Sequence, residues 1–282
     1  MQQRFKCGRF DLDLSAQARP LVMGILNITP DSFFDGGHFL ALDMALSRAE
    51  QMLADGVDIL DIGGESSRPG APSLSVDEEL ARIMPVLYAL RDCGKPLSID
   101  TCKPEVMREV LAAGADMIND IRGFQEDGAL SAVSDSDCGL CIMHMQSTPQ
   151  TMQAAPHYED AVTEVGNFLL HRVVAIEAIG IERARLCIDP GFGFGKTLEH
   201  NVDLLRNLGL LIERIGLPVL AGVSRKAMIG QLTGRAVDQR LAGSIAGALA
   251  AAANGARLVR VHDVAETVDA FAVWQTLAAP GQ

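Results

Sequence analysis

Eight short apolar runs in this 282-residue sequence lead into side chains able to donate, accept or hold charge: Asn27, Glu65 with Arg68, Asp100, Asn119 with Asp120, His144, Asp189, Lys226, and Arg260 with His262. An ionised carboxylate only accepts hydrogen bonds, Lys and Arg only donate, and Asn does both. Such a mixture, if gathered in one place, can grip a polar molecule along several edges. Arg260 and His262 stand just before the helix expected from Asp263, where free backbone N–H groups favour an anion. Any one of these residues is equally well read as a solvated loop residue or a helix cap. A purely structural fold does not need all eight.

The elements that carry them repeat one plan: an apolar run, a polar stretch, then a helix-length segment. The runs are Leu21–Asn27, Val57–Gly63, Pro96–Asp100, Asp116–Asp120, Gly139–His144, Arg185–Asp189, Leu217–Val223 and Arg257–His262. They are rich in Ile, Val and Leu without clean alternation, as in parallel strands covered by helices. Leu42, Ala45, Leu46, Ala49, Met52 and Leu53 form one helical stripe. Gly56, Gly114, Gly180, Gly216 and Gly255 stand at helix stops. Eight such units fit a single-domain α/β fold, a TIM (β/α)8 barrel spanning 1–282, with its active site at the C-terminal strand ends. An open doubly wound sheet is the alternative, disfavoured because no unit looks truncated. Residues 4–14 are expected to form an N-terminal β-hairpin turning at Cys7-Gly8 and capping the barrel bottom.

The net charge of −12 disfavours nucleic acid or an anionic membrane as partner, since both need a basic face. An anionic substrate must then meet a local basic cluster. No apolar signal region opens the chain, and the uncharged stretch from Leu241 to Ala256 is too short and too weakly apolar to span a bilayer. Cys138-Gly-Leu-Cys141 has no second pair and borders an apolar run, so structural thiols are expected rather than a metal or redox site. The reducing cytoplasm is the expected location.

Several of the strand-end segments go further. MGILNITPDSF from Met23, ESSRPGA from Glu65, SIDTCKP from Ser98, Ile118–Asp120, Ile142–Gln146, DPGFGFGK from Asp189, GVSRK from Gly222 and RVHDV from Arg260 occur in order across nearly the whole chain. Together they resemble the signatures of the dihydropteroate synthases, the folate-pathway enzymes that sulfonamides inhibit. The resemblance implies a barrel that joins p-aminobenzoate to 6-hydroxymethyl-7,8-dihydropterin diphosphate and releases diphosphate, by an SN1-like path.

What the resemblance implies for residues follows. Asp189 takes the paired N–H donors of a pterin ring, with Asp100, Asn119 and Lys226 on its other edges and Met143, Phe194 and Gly222 as walls. Phe33, Ser67, Arg68, Pro69, Phe194, Ser224 and Lys226 shape the p-aminobenzoate site. Asn27, Arg68, Arg260 and His262 meet the diphosphate, and Asn27 helps hold Mg²⁺. Asp100, Lys226, Arg68, Arg260 and His262 are the expected catalytic set. Whether Arg68 faces the benzoate or the diphosphate is left open by the sequence. A homodimer, with small molecules as its substrates, is also implied.

Three positions depart from the family's usual pattern: Phe34 where a small residue is common, Ser67 for Thr, and Cys102 for Ser. Phe34 is the bulky change and the one expected to alter p-aminobenzoate or sulfonamide affinity. Two rivals share the ring contacts: a methyltetrahydrofolate-dependent methyltransferase barrel and a non-catalytic pterin-binding paralogue. The Ser224–Lys226 and Arg260–His262 sets disfavour the first, and intact polar residues in the first two loops disfavour the second.

Overall fold

Eight parallel strands and one short antiparallel hairpin build the described molecule. The computed structural model describes residues 2–15, 18–28, 37–66 and 70–278, so Phe33, Phe34, Ser67, Arg68 and Pro69 lie outside the described residues. Strands β1 (Arg4–Cys7) and β2 (Phe10–Asp13) pair antiparallel as the expected hairpin. Gly8 turns it at φ +56°, where a Cβ would also press on the Asp116 backbone. The larger sheet holds β3 (Leu21–Asn27), β4 (Ile59–Gly63), β5 (Leu97–Asp100), β6 (Met117–Asp120), β7 (Gly139–Met143), β8 (Leu186–Asp189), β9 (Leu220–Ala221) and β10 (Leu258–Val261).

All neighbours in that sheet are parallel, in the order β8-β7-β6-β5-β4-β3-β10-β9. A parallel bridge between Ile188 and Val219, with Ile188 N–H donating to the Pro218 carbonyl at 3.0 Å, joins the two ends and closes the barrel. The open-sheet alternative is thereby excluded. The seventh strand is shorter than the expected Leu217–Val223, and Pro218 has no N–H to add to its ladder.

Ten helices occur among the described residues: α1 (Gly37–Ala54), α2 (Val76–Leu90), α3 (Pro104–Ala112), α4 (Ala129–Ser134), α5 (Ala161–Ala178), α6 (Leu198–Arg206), α7 (Leu208–Ile215), α8 (Ala227–Thr233), α9 (Leu241–Ala253) and α10 (Val264–Ala278). Two barrel units therefore carry a pair of helices where one segment was expected. Ser75 caps α2 in a reciprocal box with Glu78, and Asp160 and Thr197 cap α5 and α6. The glycines expected at helix stops all have positive φ, from +75° at Gly216 to +104° at Gly114. In the Ala/Gly-rich α9, a Cβ at Gly243 would strike Ile229 and one at Gly247 would crowd Val223. Its small residues thus serve close packing within the chain. No helix among the described residues is long and apolar enough to cross a membrane.

Side chains on successive strand residues alternate between the barrel interior and the helix layer. At the lower end of the interior, Leu21, Met23, Ile59, Met117, Cys141, Cys187, Leu220 and Leu258 pack with Phe5, Cys7 and Leu14, so the hairpin seals that end. Cys138 and Cys141 are buried free thiols. Two residues further along the strands the interior turns polar.

Candidate active site

Counting inward positions by twos from that apolar layer leads to Asp61, Asn119, Asp189 and Arg260, and then to Asn27, Gly63, Asp100 and Gly222 near the mouth. Arg260 is the hub. Its Nε donates to Asp61 Oδ2 at 2.6 Å and its Nη2 to Asp100 Oδ2 at 2.7 Å. Asn119 Nδ2 donates to the same Asp61 oxygen at 3.3 Å. Burial opposes the guanidinium charge, but the Asp61 and Asp100 carboxylates outweigh it and raise its pKa. Burial pushes Asp100 up to about 7 against the pull of Arg260, with the like charge of Asp61 adding to the rise. Asp61 Oδ1 and Asn119 Oδ1 accept no hydrogen bond among the described residues although both are buried. Each is an acceptor ready for a ligand donor or water.

Lys226, Asp189 and Arg260 converge on Gly222. A Cβ built there would lie 3.7 Å from Lys226 Nζ, 3.8 Å from Arg260 Cβ and 3.9 Å from Asp189 Oδ2. A side chain there would extend toward Lys226 Nζ and Asp189 Oδ2 and pack against the stem of Arg260. Asp189 Oδ1 accepts from Gly191 N–H at 2.7 Å, and burial raises its pKa while Lys226 pulls it back down. Burial lowers Lys226 to about 8, opposed by Asp189. Its ammonium donates to the Phe192 carbonyl and stands 4.5 Å from the centre of the Phe194 ring.

At the barrel mouth lies a cavity of about 940 Å³. Asn27, Asp100, Phe194, Gly222, Ser224, Lys226, Arg260 and His262 are among the residues that line it. Asn119, Met143 and Asp189 are outside that wall, each at most 4% exposed. Met143 joins Phe194, Met145, Met152 and Ile121 in a small apolar cluster. Ser224 Oγ is 3.0 Å from His262 Nδ1 and accepts from His262 N–H at 3.2 Å. Arg48, on α1, donates to the His262 carbonyl at 2.7 Å, and Arg225 pairs with Asp263 ahead of α10. Of the expected site residues that the structure describes, eight line this cavity, and Asn119, Met143 and Asp189 are buried outside its lining.

Two residues of this site were not singled out from the sequence. Asp61 sits within an apolar strand two residues before its end. An acid flanked by Leu60 and Ile62 is the signal that marks it, because an inward charge there demands a partner. Lys196 closes the Gly-rich segment, 4% exposed and in the cavity wall. Its Nζ lies 2.9 Å from His144 Nδ1 and 3.0 Å from the carbonyls of Gly191 and Phe194.

Residues 23–262 match the family model of pterin binding enzymes. A dihydropteroate synthase of Haemophilus influenzae is 51% identical over 270 residues, covering 95% of this chain and 96% of its own. A Xanthomonas albilineans dihydropteroate synthase solved with 4-aminobenzoic acid superimposes with a TM-score of 0.92 at 50% identity, with full coverage of both chains. The Burkholderia cenocepacia enzyme complexed with 7,8-dihydropteroate gives 0.89 at 52% identity, covering 98% of this chain and 96% of that one.

Proposed function

Because the chain belongs to the pterin-binding enzymes and, among them, to the dihydropteroate synthases, we propose that its barrel mouth binds 6-hydroxymethyl-7,8-dihydropterin diphosphate and p-aminobenzoate side by side. The protein is a transferase that joins the two to give 7,8-dihydropteroate and diphosphate. The convergence of Asp189, Lys226 and Arg260 on the side-chain-free Gly222 is the observation that carries the site reading.

Asp189 accepts the ring N3–H and the exocyclic amine together, as an acceptor-only group can. Asn119 and Asp100 take the neighbouring ring edges, and Lys226 donates to the ring carbonyl or nitrogen. Met143, Phe194 and Gly222 wall the flat ring. Phe194, Ser224 and Lys226 face p-aminobenzoate, joined by Phe33, Ser67, Arg68 and Pro69. Asn27, Arg260, His262 and Arg68 surround the diphosphate. Arg260 meets it through N–H groups left over from its two carboxylate bonds, since a guanidinium has five.

Among the described residues no group of three His, Cys, Asp or Glu side chains is placed to hold a metal. Asn27 Oδ1 lies 3.2 Å from where a Gly63 Cβ would stand, at the cavity wall. One neutral oxygen beside a diphosphate suits Mg²⁺, which keeps most of its waters and takes phosphate oxygens. Asn27 would hold it there, and when bound it neutralises charge on the leaving diphosphate.

The reaction breaks the bond between the pterin CH₂ and the diphosphate oxygen, and the electron pair leaves with the diphosphate. Arg260 and His262 stabilise that departing charge. The Asp100 and Asp189 carboxylates favour the cation left on the conjugated ring, which supports a dissociative path. The arylamine nitrogen then forms the new C–N bond and gives up its proton. It is neutral near pH 7 and needs no strong base. A secondary isotope effect at that CH₂ well above unity is expected, and a value near one speaks for direct displacement.

The functional unit is one domain in a cytoplasmic homodimer, acting on small molecules and not on nucleic acid or membrane. Exposed Leu232 on α8 and Leu241 on α9 support pairing of two copies on that face. Diphosphate release in the presence of pterin diphosphate, Mg²⁺ and p-aminobenzoate tests the reading. Release that depends on p-aminobenzoate is expected. Release without it, or none, contradicts the reading.

A further inference from the structure

We infer that Lys196 is a positioning residue for the reaction, clamping the loop from Gly191 to Gly195 so that Phe194 and Lys226 stand in register over the substrate site. This rests on the site reading above, which places those two residues against the substrates.

The loop crosses the barrel mouth with almost no regular structure of its own. Its backbone acceptors are nevertheless all taken, and by side chains. Lys196 donates to the carbonyls of Gly191 and Phe194, Lys226 to that of Phe192, Gln153 to that of Gly193 and Tyr158 to that of Gly195. Lys196 is the member that takes two of the five. Its third donor goes to His144 Nδ1 at 2.9 Å, which fastens the loop to the end of β7. Three donors meet three acceptors, which is the full capacity of an ammonium group.

The placement is costly for the chain. Among the described residues no carboxylate pairs with Lys196, although it is 4% exposed. A buried amine held only by neutral acceptors is costly to keep charged, and burial lowers Lys196 to about 7. Burial and the ammonium hold His144 neutral, which leaves its Nδ1 free to accept. Close packing enforces the same arrangement: Gly191, at φ +70°, leaves room for the His144 carbonyl, and Gly195, at φ +61°, for the Gln146 backbone. One consequence of the clamp reaches the site. With the Phe192 and Phe194 backbones fixed, Lys226 is held both by a carbonyl and over the Phe194 ring.

A double-mutant cycle on kcat/KM separates this role from general stabilisation. Lys196→Met should lower kcat/KM by about tenfold or more in the natural chain, and by a clearly smaller factor in a Phe194→Leu background, where only its hold on Lys226 remains. Equal losses in both backgrounds, with Phe194→Leu itself impaired, overturn the clamp while leaving the site reading intact. An unimpaired Phe194→Leu overturns the site reading instead. If Lys196→Met fails to fold, His144→Leu takes its place in the cycle. It removes one of the three acceptors, and its loss should show the same dependence on Phe194.

Discussion

Arg260 and Asp61, 199 residues apart in the chain, are joined by a 2.6 Å hydrogen-bonded ion pair inside the barrel, and Asp100 holds the other edge of the same guanidinium. Asp61 is fully buried and bonded to Arg260, which in the proposed site makes it a positioning residue. Asp61→Ala leaves a buried cation short of a partner, so about 3–5 kcal/mol of stability should be lost. Asp61→Asn keeps the shape and one acceptor. It should fold, with kcat/KM down by roughly ten- to a hundredfold, because Arg260 is held less firmly. Denaturant melts and steady-state kinetics on the two variants check both statements.

The site's pH dependence follows from two opposed shifts. Asp100 is raised to about 7 by burial, and Lys226 is lowered to about 8 by burial. If the ionised carboxylate and the charged amine are both needed, kcat/KM rises with pH as Asp100 loses its proton. It then falls as Lys226 loses its own. A bell is expected, rising near 7 with Asp100 and falling between about 7 and 8, because burial also lowers Lys196, the loop clamp, to about 7. Asp100→Asn should erase the rising limb and keep the falling one, and an unchanged profile in that variant contradicts the assignment.

Much of this was legible along the chain, for a geometric reason. Strand ends in a parallel barrel all reach the same face, so Asp100, Asp189, Lys226 and Arg260 could be grouped by position alone. Asp61 was harder, because it falls two residues before its strand ends and is marked only by the apolar Leu60 and Ile62 on either side. Lys196 and His144 meet across 52 residues, and nothing local to either announces the other. The paired helices α6 and α7, and α8 and α9, were also hidden, since apolar periodicity does not count the breaks at Asn207 or between Thr233 and Leu241. Phe33, Phe34, Ser67, Arg68 and Pro69 lie outside the described residues, so their roles stand as proposals.

Acid should weaken the fold partly through His144. Burial, assisted by the Lys196 charge, lowers it from 6.5 to about 3. Below pH 6.5 the unfolded chain takes up a proton that the folded chain refuses, so stability falls as pH falls toward 3. The slope from this one group is about 1.4 kcal/mol per pH unit at most. His144→Asn should flatten the pH dependence of the denaturation midpoint between pH 6 and 4.5, roughly by one proton's worth. An equally steep dependence in the variant would show that other groups account for it.

Gly191 tests the close approach of the loop to β7. Its φ of +70° and the adjacent His144 carbonyl leave no place for a methyl group. Gly191→Ala should cost at least about 1–3 kcal/mol from backbone strain alone, with the collision adding to it. Gly209, where nothing stands within 4 Å of a built Cβ, is the control. Gly209→Ala should leave thermal stability unchanged or slightly raised, by up to about 1 kcal/mol for a glycine inside a helix.

The decisive test is the affinity of the pterin itself, measured by calorimetric titration of 6-hydroxymethyl-7,8-dihydropterin diphosphate into the natural protein and into Asp189→Ala. Loss of a bidentate acceptor from a buried site should weaken binding by about a hundredfold, with the folded structure retained. Equal affinity in the two proteins would mean that the heterocycle is held somewhere other than between Asp189, Lys226 and Arg260.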